Sequence, residues 1–439
     1  MAIERVLLVS HERIGDRMAG PGIRYYHLAR ELARRFRVTL MAPNDDVGTV
    51  EGVDVVAGQR ASYGAVKALA AKHDAVVAQH FGVRTMRYLA RAPIRVIYDL
   101  YVPFVSENLA YHAAQRRTPF HRLSYRASDL VQSIALATGD AFICASERQR
   151  DLWLGRLSLL ERIDVAQGRA DPALRRLVAV VPIGIEERRP ESRRPVLKGV
   201  VPGISETDRV LLWSGGVWNW FDPLTVIGAV GRISKRRGDV KLFFLGLRHP
   251  NPAVAEMEMT QRALDLAREL DLEGRSVFFN FDWVPYEERA SYLLEADVGL
   301  CAHFDTLETR FSFRTRVLDH LWAGLPTVMT RGDTLAELVE REQLGRTTGF
   351  EDVDSWVTAL ESLLDNEAEY ERIQANIERV RGRFAWPTLV EPLGELIAGE
   401  GLSFPRSPYA GRLIRRYLRV QAQVVVENPR FVLKHLRTR

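Results

Sequence analysis

The feature that most constrains this chain is an alternation that runs through it twice. Short apolar runs, "RVLLVS" (5–10), "RVTLMAP" (37–43), "DAVVAQ" (74–79), "RVIYDL" (95–100) and "AFICAS" (141–146), are separated by stretches of helical periodicity such as "GIRYYHLARELARRF" (22–36). Runs that are apolar throughout bury both faces, and helices between them supply the cover, so the pattern reads as a parallel sheet with helices on either side. "VAVVPIGIEE" (178–187) closes the first series, and a second starts afresh at "RVLLWSGG" (209–216). It continues through "VKLFFLG" (240–246), "SVFFNFDWV" (276–284), "DVGLCAH" (297–303) and "PTVMT" (326–330). Helices are expected over 223–234, opened by the cap-and-proline pair Asp222-Pro223, and over 255–272 and 285–296. The chain therefore reads as α/β, two doubly wound domains facing a cleft, with ligands at the carboxyl ends of the strands. The expected divisions are an N-terminal domain over 1–182, a second domain over 183–382, a segment over 383–405 that crosses back to the first, and a tail over 406–439.

Charge narrows the function classes. The net charge is +5, yet residues 406–439 hold nine Lys and Arg against Glu427 alone, leaving the body of the chain at −3. A nucleic-acid-binding body carries its own basic face, and this one does not. No apolar run approaches the roughly 20 residues of a membrane span. The N-terminus lacks the pattern of a signal peptide. Two cysteines, Cys144 and Cys301, make no disulfide framework and no metal-ligand spacing, so both read as small buried apolar residues in a reducing, cytoplasmic setting. No metal or other cofactor is expected. The tail mixes arginines with Leu413, Ile414, Tyr417, Leu418 and Val420 near helical spacing, which suits an anionic membrane surface at the inner face, packing on the N-terminal domain, or a partner protein.

The stretch "ETRFSFRTRVLDHLWAGLPTV" (308–328) crowds charge at the start of an apolar helix. Its "LDHLWAGLPTV" end resembles the close of an E-x7-E and A-x-x-x-G-x-P pattern, with Asp319, Gly324 and Pro326 at the matching offsets. Further pieces agree in order: "ICASERQRDLWLG" (143–155), "VVPIGIE" (180–186), "ADVGLCAHFDTLETRFSF" (296–313) and "RFAWPTLVEPL" (383–393). Together, over roughly residues 3–398, the chain resembles the retaining glycosyltransferases of family 4, whose GT-B fold pairs two Rossmann-like domains. The resemblance implies sugar transfer from a nucleotide diphosphate donor to an acceptor (a saccharide, a lipid-linked sugar or a small metabolite), with retention, in cell-envelope polysaccharide or glycoconjugate synthesis. Other readings are a nucleotide-sugar epimerase or phosphorylase of the same fold, or a non-catalytic subunit that binds a sugar or a partner.

The departures from the family pattern direct attention to particular residues. The family's Arg and Lys beside the diphosphate are replaced by Gly216 and Phe221 in "SGGVWNWFDPL" (214–224). Arg314 and Arg316 are the cationic candidates for that task, because guanidinium forks match phosphate oxygens and cations are unfavourable at a helix start without an anion to meet. The alternative for both is a solvated cation. Asp319 is expected to hold ribose hydroxyls, the alternative being an i−3 ion pair with Arg316. The family's first Glu falls at Phe311, so Glu308 stands as its catalytic replacement or as a loop acid. Gly20, Gly22 and Arg24, after the first strand, resemble the family's loop beneath the leaving diphosphate, with a tight turn as the alternative. Gly215 and Gly216 offer backbone N–H groups, and Trp218 a stacking face on loop 214–222. Asp99, in "VIYDLYVPF" (96–104), takes the place of the family's histidine as a catalytic candidate; a turn-capping acid is the alternative. His80 also ends a strand, where a lone histidine is more often structural.

Overall fold

The computed structural model describes residues 3–113, 118–248, 257–399 and 404–427. Contacts divide the chain into two units. One comprises Met1–Glu12, Tyr25–Pro182 and Val390–Arg439, and the other Arg13–Arg24 and Ile183–Leu389. One division between the units falls after Pro182. The return falls at 389/390, inside the helix Trp386–Ala398, and the loop after the first strand joins the second unit.

The first unit is built on seven strands, β1 (Arg5–Val9), β2 (Arg37–Met41), β3 (Val53–Val56), β4 (Ala75–Ala78), β5 (Arg95–Asp99), β6 (Ala141–Cys144) and β7 (Val178–Val180). They pair in parallel in the order β3-β2-β1-β4-β5-β6-β7. Leu7, Val9, Val76, Val96, Tyr98 and Phe142 are buried in its core with Trp153. The chain order reverses between β1 and β4, so the carboxyl ends of those strands form a switch point. The helix Ala410–Glu427 packs on the helix Pro119–Thr138, with Val420 and Val424 against Ala127 and Leu130. Of the three settings open to the tail, packing on the first unit is what its described part shows; residues 428–439 lie outside the described residues.

The second unit has six strands, β8 (Arg209–Trp213), β9 (Val240–Phe244), β10 (Val277–Phe279), β11 (Val298–Cys301), β12 (Thr327–Thr330) and β13 (Gly345–Thr348). They too are all parallel, in the order β10-β9-β8-β11-β12-β13, with the switch point between β8 and β11. The segment that leads into it is tied down by carboxylates: Glu295 accepts the backbone N–H groups of Val196, Leu197 and Lys198, and Asp297 accepts that of Val210. Both sheets are those of doubly wound α/β domains. The edge strands β3 and β13 were not legible as strands.

Candidate functional site

The loop after β8 is shaped by glycine. Gly215 has a φ of 122°, a region that side-chain-bearing residues rarely adopt. The chain then runs through Trp218 and Trp220, whose rings stack at 5.2 Å. Asn219 fixes the loop by accepting the Met259 N–H at 3.1 Å, and Asp222 caps the helix Pro223–Ile233 through Thr225 N. Phe221 is buried and meets His303 ring to ring, so it faces inward rather than toward a ligand.

Next to this loop, the segment 306–320 carries the crowded charges. Thr306 caps a short helix, Leu307–Phe311, which turns Glu308 inward. Arg314 grips Glu308 with both terminal nitrogens, at 3.0 and 2.6 Å, and its Nε lies 3.8 Å from Asp333. Ser312 Oγ also donates to Glu308. Glu308 is 2% exposed and Arg314 6%. Burial pulls the Arg314 guanidinium down, but the charges of Glu308 and Asp333 more than offset it and the net direction is up. The structure thus gives Arg314 and Glu308 to each other. The phosphate clamp and the catalytic acid expected at these positions meet instead as a buried ion pair.

Arg316 is placed differently. Its Nη2 donates to the Gly216 carbonyl at 3.0 Å, and the guanidinium lies over two rings, 4.4 Å from the Phe221 centroid and 4.8 Å from that of Trp213. Its Nη1 is buried with no hydrogen-bond partner among the described residues. Burial lowers its pKa to about 10, so it remains a cation at neutral pH. It makes no ion pair with Asp319, which was the ordinary alternative for that spacing. The guanidinium occupies the space over Phe221, the position where the family pattern has its lysine. The helix it opens, Thr315–Ala323, has no side-chain cap, so its first backbone N–H groups remain available to an anion. The helix ends at Gly324 with φ 70°. That glycine of the A-G-L-P stretch is accordingly required by the turn.

Asp319 lies one turn further along. Arg289 Nε approaches Asp319 Oδ1 at 3.4 Å, while its Nη2 reaches Glu186 at 3.4 Å and Tyr286 Oη at 2.9 Å. The Arg289 plane covers Tyr286, at 3.6 Å, and Trp322, at 4.4 Å. The Asp319 side chain is 36% exposed, but that exposure opens into pockets in the second unit. This explains why burial pushes its carboxyl upward although it is solvent-accessible, with Arg289 pulling the other way. One pocket is lined by Ser214, Gly215, Trp283, Val284, Arg289 and Asp319, and an adjoining one by Gly20, Ile185, Glu186, Thr315 and Asp319. Gly20 and Asp319 are therefore brought together. His320, the next residue of the helix, bridges Ser214 Oγ at 2.9 Å and Thr327 Oγ1 at 3.1 Å. Burial, and then Arg316, holds it down to about 3. Its ring fits only because Gly299 on β11 has no Cβ, which would stand 2.4 Å from it.

The remaining candidates are placed as follows. Gly20 and Gly22 form the first turn of the helix Gly20–Leu32; a Cβ on Gly22 would stand 2.2 Å from the Arg13 carbonyl, so that glycine serves close packing within its own loop. Arg24 is fully buried. Asp99 ends β5 in the first unit, where its Oδ1 accepts the Tyr101 N–H at 3.2 Å, the turn-capping contact. It lines a cavity of about 410 Å3 with His80, Gln79 and Gln132. His80 stacks on His11 at 4.8 Å, and burial lowers both, His80 to about 3. Among the described residues no group of three or more His, Cys, Asp and Glu is arranged to hold a metal. Arg289, Ser214 and His320 escaped the sequence reading. Arg289 lies in "PYEERASYLLEA", where an arginine after two glutamates looks like an ordinary solvated helix start.

Residues 208–366 match the model of the family described as "Glycosyl transferases group 1". A sequence comparison with curated proteins finds no match. Among solved structures, the chain is similar to a sucrose-phosphate synthase from Thermosynechococcus elongatus, at 15% identity and a TM-score of 0.61, covering 90% of this chain and 98% of that one. It is similar to HepE of Anabaena, solved in complex with UDP and glucose, at 15% identity and a TM-score of 0.61, covering 90% and 99%. WaaG, a glycosyltransferase involved in lipopolysaccharide biosynthesis, gives 16% identity and a TM-score of 0.61, covering 90% and 100%. At these identities the likeness shows the fold: two parallel-sheet α/β domains of the GT-B type.

Proposed function

We propose that this protein is a glycosyltransferase that takes its sugar from a nucleoside-diphosphate donor, with the nucleotide held in the second unit. The observation that carries the reading is Arg316: a buried cation with no acidic partner and one orphaned nitrogen among the described residues, beside Gly215 and Gly216, at the β8/β11 switch point. An unpaired buried charge costs free energy, and a bound diphosphate would offset it. Such a site suits a leaving group that gains negative charge as the sugar departs. The family match over 208–366 covers this region, and the UDP bound by HepE, which shares the fold, supports a nucleotide here.

In this reading Arg316 and the uncapped start of helix Thr315–Ala323 meet the diphosphate. Asp319, oriented by Arg289, accepts hydrogen bonds from the ribose hydroxyls, and the pocket beside Trp283 and Val284 takes the base. The Arg314–Glu308–Asp333 cluster holds the backbone that presents Arg316. The reaction breaks the bond between the anomeric carbon and the β-phosphate oxygen. It forms a bond from that carbon to an acceptor hydroxyl oxygen on the same face, with the hydroxyl proton passing to the leaving phosphate. Retention is tested by the anomeric coupling of the product in a proton NMR spectrum, where an inverted product would remove that part of the proposal. Donor use is tested first by thermal shift with UDP, GDP, ADP and dTDP at millimolar concentration. Stabilisation by at least one is expected, and no stabilisation by any would overturn the reading.

A further inference from the structure

The helix Ala410–Glu427 has already spent the face that would make it an amphipathic membrane helix. Tyr417, Val420 and Val424 pack on Phe120, Leu123, Ala127 and Leu130 of the helix Pro119–Thr138, and Leu413 joins them. What faces outward is a different stripe. Arg412, Arg415 and Arg419 lie on it, exposed, together with Leu418 (58% exposed), Val425 and Val426 (77%). At 100° per residue these six fall within an arc of about 140°. Glu427 is the only acid on this helix, and no described acid pairs with Arg415, Arg416 or Arg419. The partner helix adds exposed Arg122 and Arg126. Beyond Glu427 the sequence continues with Arg430, Lys434, Arg437 and Arg439 and no acid.

We propose that this outward stripe is a docking surface for anionic phospholipid, with the arginines at the headgroups and Leu418, Val425 and Val426 entering the interface. Two physical features favour lipid over other partners. Concentrated cations without internal acids match a negatively charged plane, and exposed aliphatic side chains among them gain only where an apolar layer lies just beneath the charge. A folded helix pair presents this surface without the unpacking that burying Tyr417 or Val420 in lipid would demand. The inference does not rest on the proposed sugar transfer: it concerns a different surface and is measured without a donor.

The test uses the full chain and vesicles of two parts phosphatidylcholine to one part phosphatidylglycerol, with pure phosphatidylcholine as control. Sedimentation with the anionic vesicles only, weakening between 0.05 and 0.5 M salt, is expected. The R412Q/R415Q/R419Q variant should partition roughly a hundredfold less, about fivefold per arginine. L418D/V426D should lose binding that persists in the wild type at moderate salt. These residues lie outside the packed face, so the melting temperature of each variant should stay at the wild-type value, which separates loss of the surface from loss of the fold. Three results would each overturn the proposal: no sedimentation with anionic vesicles, equal sedimentation of the triple arginine variant, or retention on heparin without vesicle binding. The last would assign the stripe to an acidic macromolecule.

Discussion

Residues 306–314 and residues 316–320 bury charge in opposite ways. In the first stretch Arg314 meets Glu308 at two points and Asp333 nearby, and Glu308 is further satisfied by Ser312. Charge is neutralised within the protein, although Arg314 Nε and Asp333 Oδ2, 3.8 Å apart, each lack a hydrogen-bond partner among the described residues. In the second, Arg316 is buried to a similar degree but meets no acid among the described residues, only a carbonyl and two aromatic faces, and its Nη1, like Arg314 Nε, has no hydrogen-bond partner among them. The two arginines look interchangeable in sequence. Their surroundings show that Arg314 serves the fold and that Arg316 carries a cost that stability alone does not explain. Perturbed, incompletely satisfied charges at a strand-end crevice mark functional positions more often than closed pairs do.

That contrast can be broken in several ways. The largest effect should come from Glu308→Ala, which strands Arg314 in the interior; an unfolding free energy lower by about 3–5 kcal/mol is expected in a denaturant titration. A loss below 1 kcal/mol would show that the pair is not the closed structural unit described. Arg316→Ala should behave in reverse. Its stability should change little or rise, while affinity for the stabilising nucleotide in titration calorimetry should fall by about 2–3 kcal/mol, the range for charge-assisted hydrogen bonds.

Acid sensitivity gives an intermediate effect. His320 stays neutral in the fold down to about pH 3, whereas an unfolded histidine takes up a proton near 6.5. The unfolded state therefore binds more protons between those values, and stability falls as pH drops from about 6.5 toward 3, by about 1.4 kcal/mol per pH unit for this one group. His320→Gln should remove that share of the slope in thermal unfolding at pH 4.5–6.5, and an unaltered slope would contradict the assignment. Smallest is Asp319→Asn, which keeps the shape but removes the charge held by Arg289. Nucleotide binding should weaken by about 1 kcal/mol, and the corresponding 2′,3′-dideoxynucleoside diphosphate should then show little further loss; a full further loss would place the ribose elsewhere.

The fold was legible because its signal is repeated: eleven apolar runs alternate with helices, and the buried strands read as short, largely apolar runs such as RVLLV, AVVA and AFIC. The strands that escaped, β3 "VDVV" and β13 "GRTT", are edge strands of four residues, half-exposed or polar, with little burial to shape their composition. Spacing singled out Asp319 and Gly215, and both line a pocket of the second unit. The pairing of Arg314 with Glu308 was not, because the turn around Ser312, which brings residues six apart face to face, leaves no periodic trace. Nor was Arg289, whose role arises from contacts with Glu186 and Asp319, more than a hundred and thirty residues apart from each other in sequence at their widest. The tail was legible as a basic helix, but not which face it had already used.

The central claim is that Arg316 is the cation that meets a nucleoside diphosphate. The most direct measurement is titration calorimetry of the wild type, Arg316→Ala and Arg316→Lys with the nucleotide found in the thermal screen. Tight binding by the wild type, partial recovery in the lysine variant and a loss of about thirtyfold to a hundred-and-fiftyfold in the alanine variant are expected. Equal affinity across all three, with unchanged folding, would contradict the account.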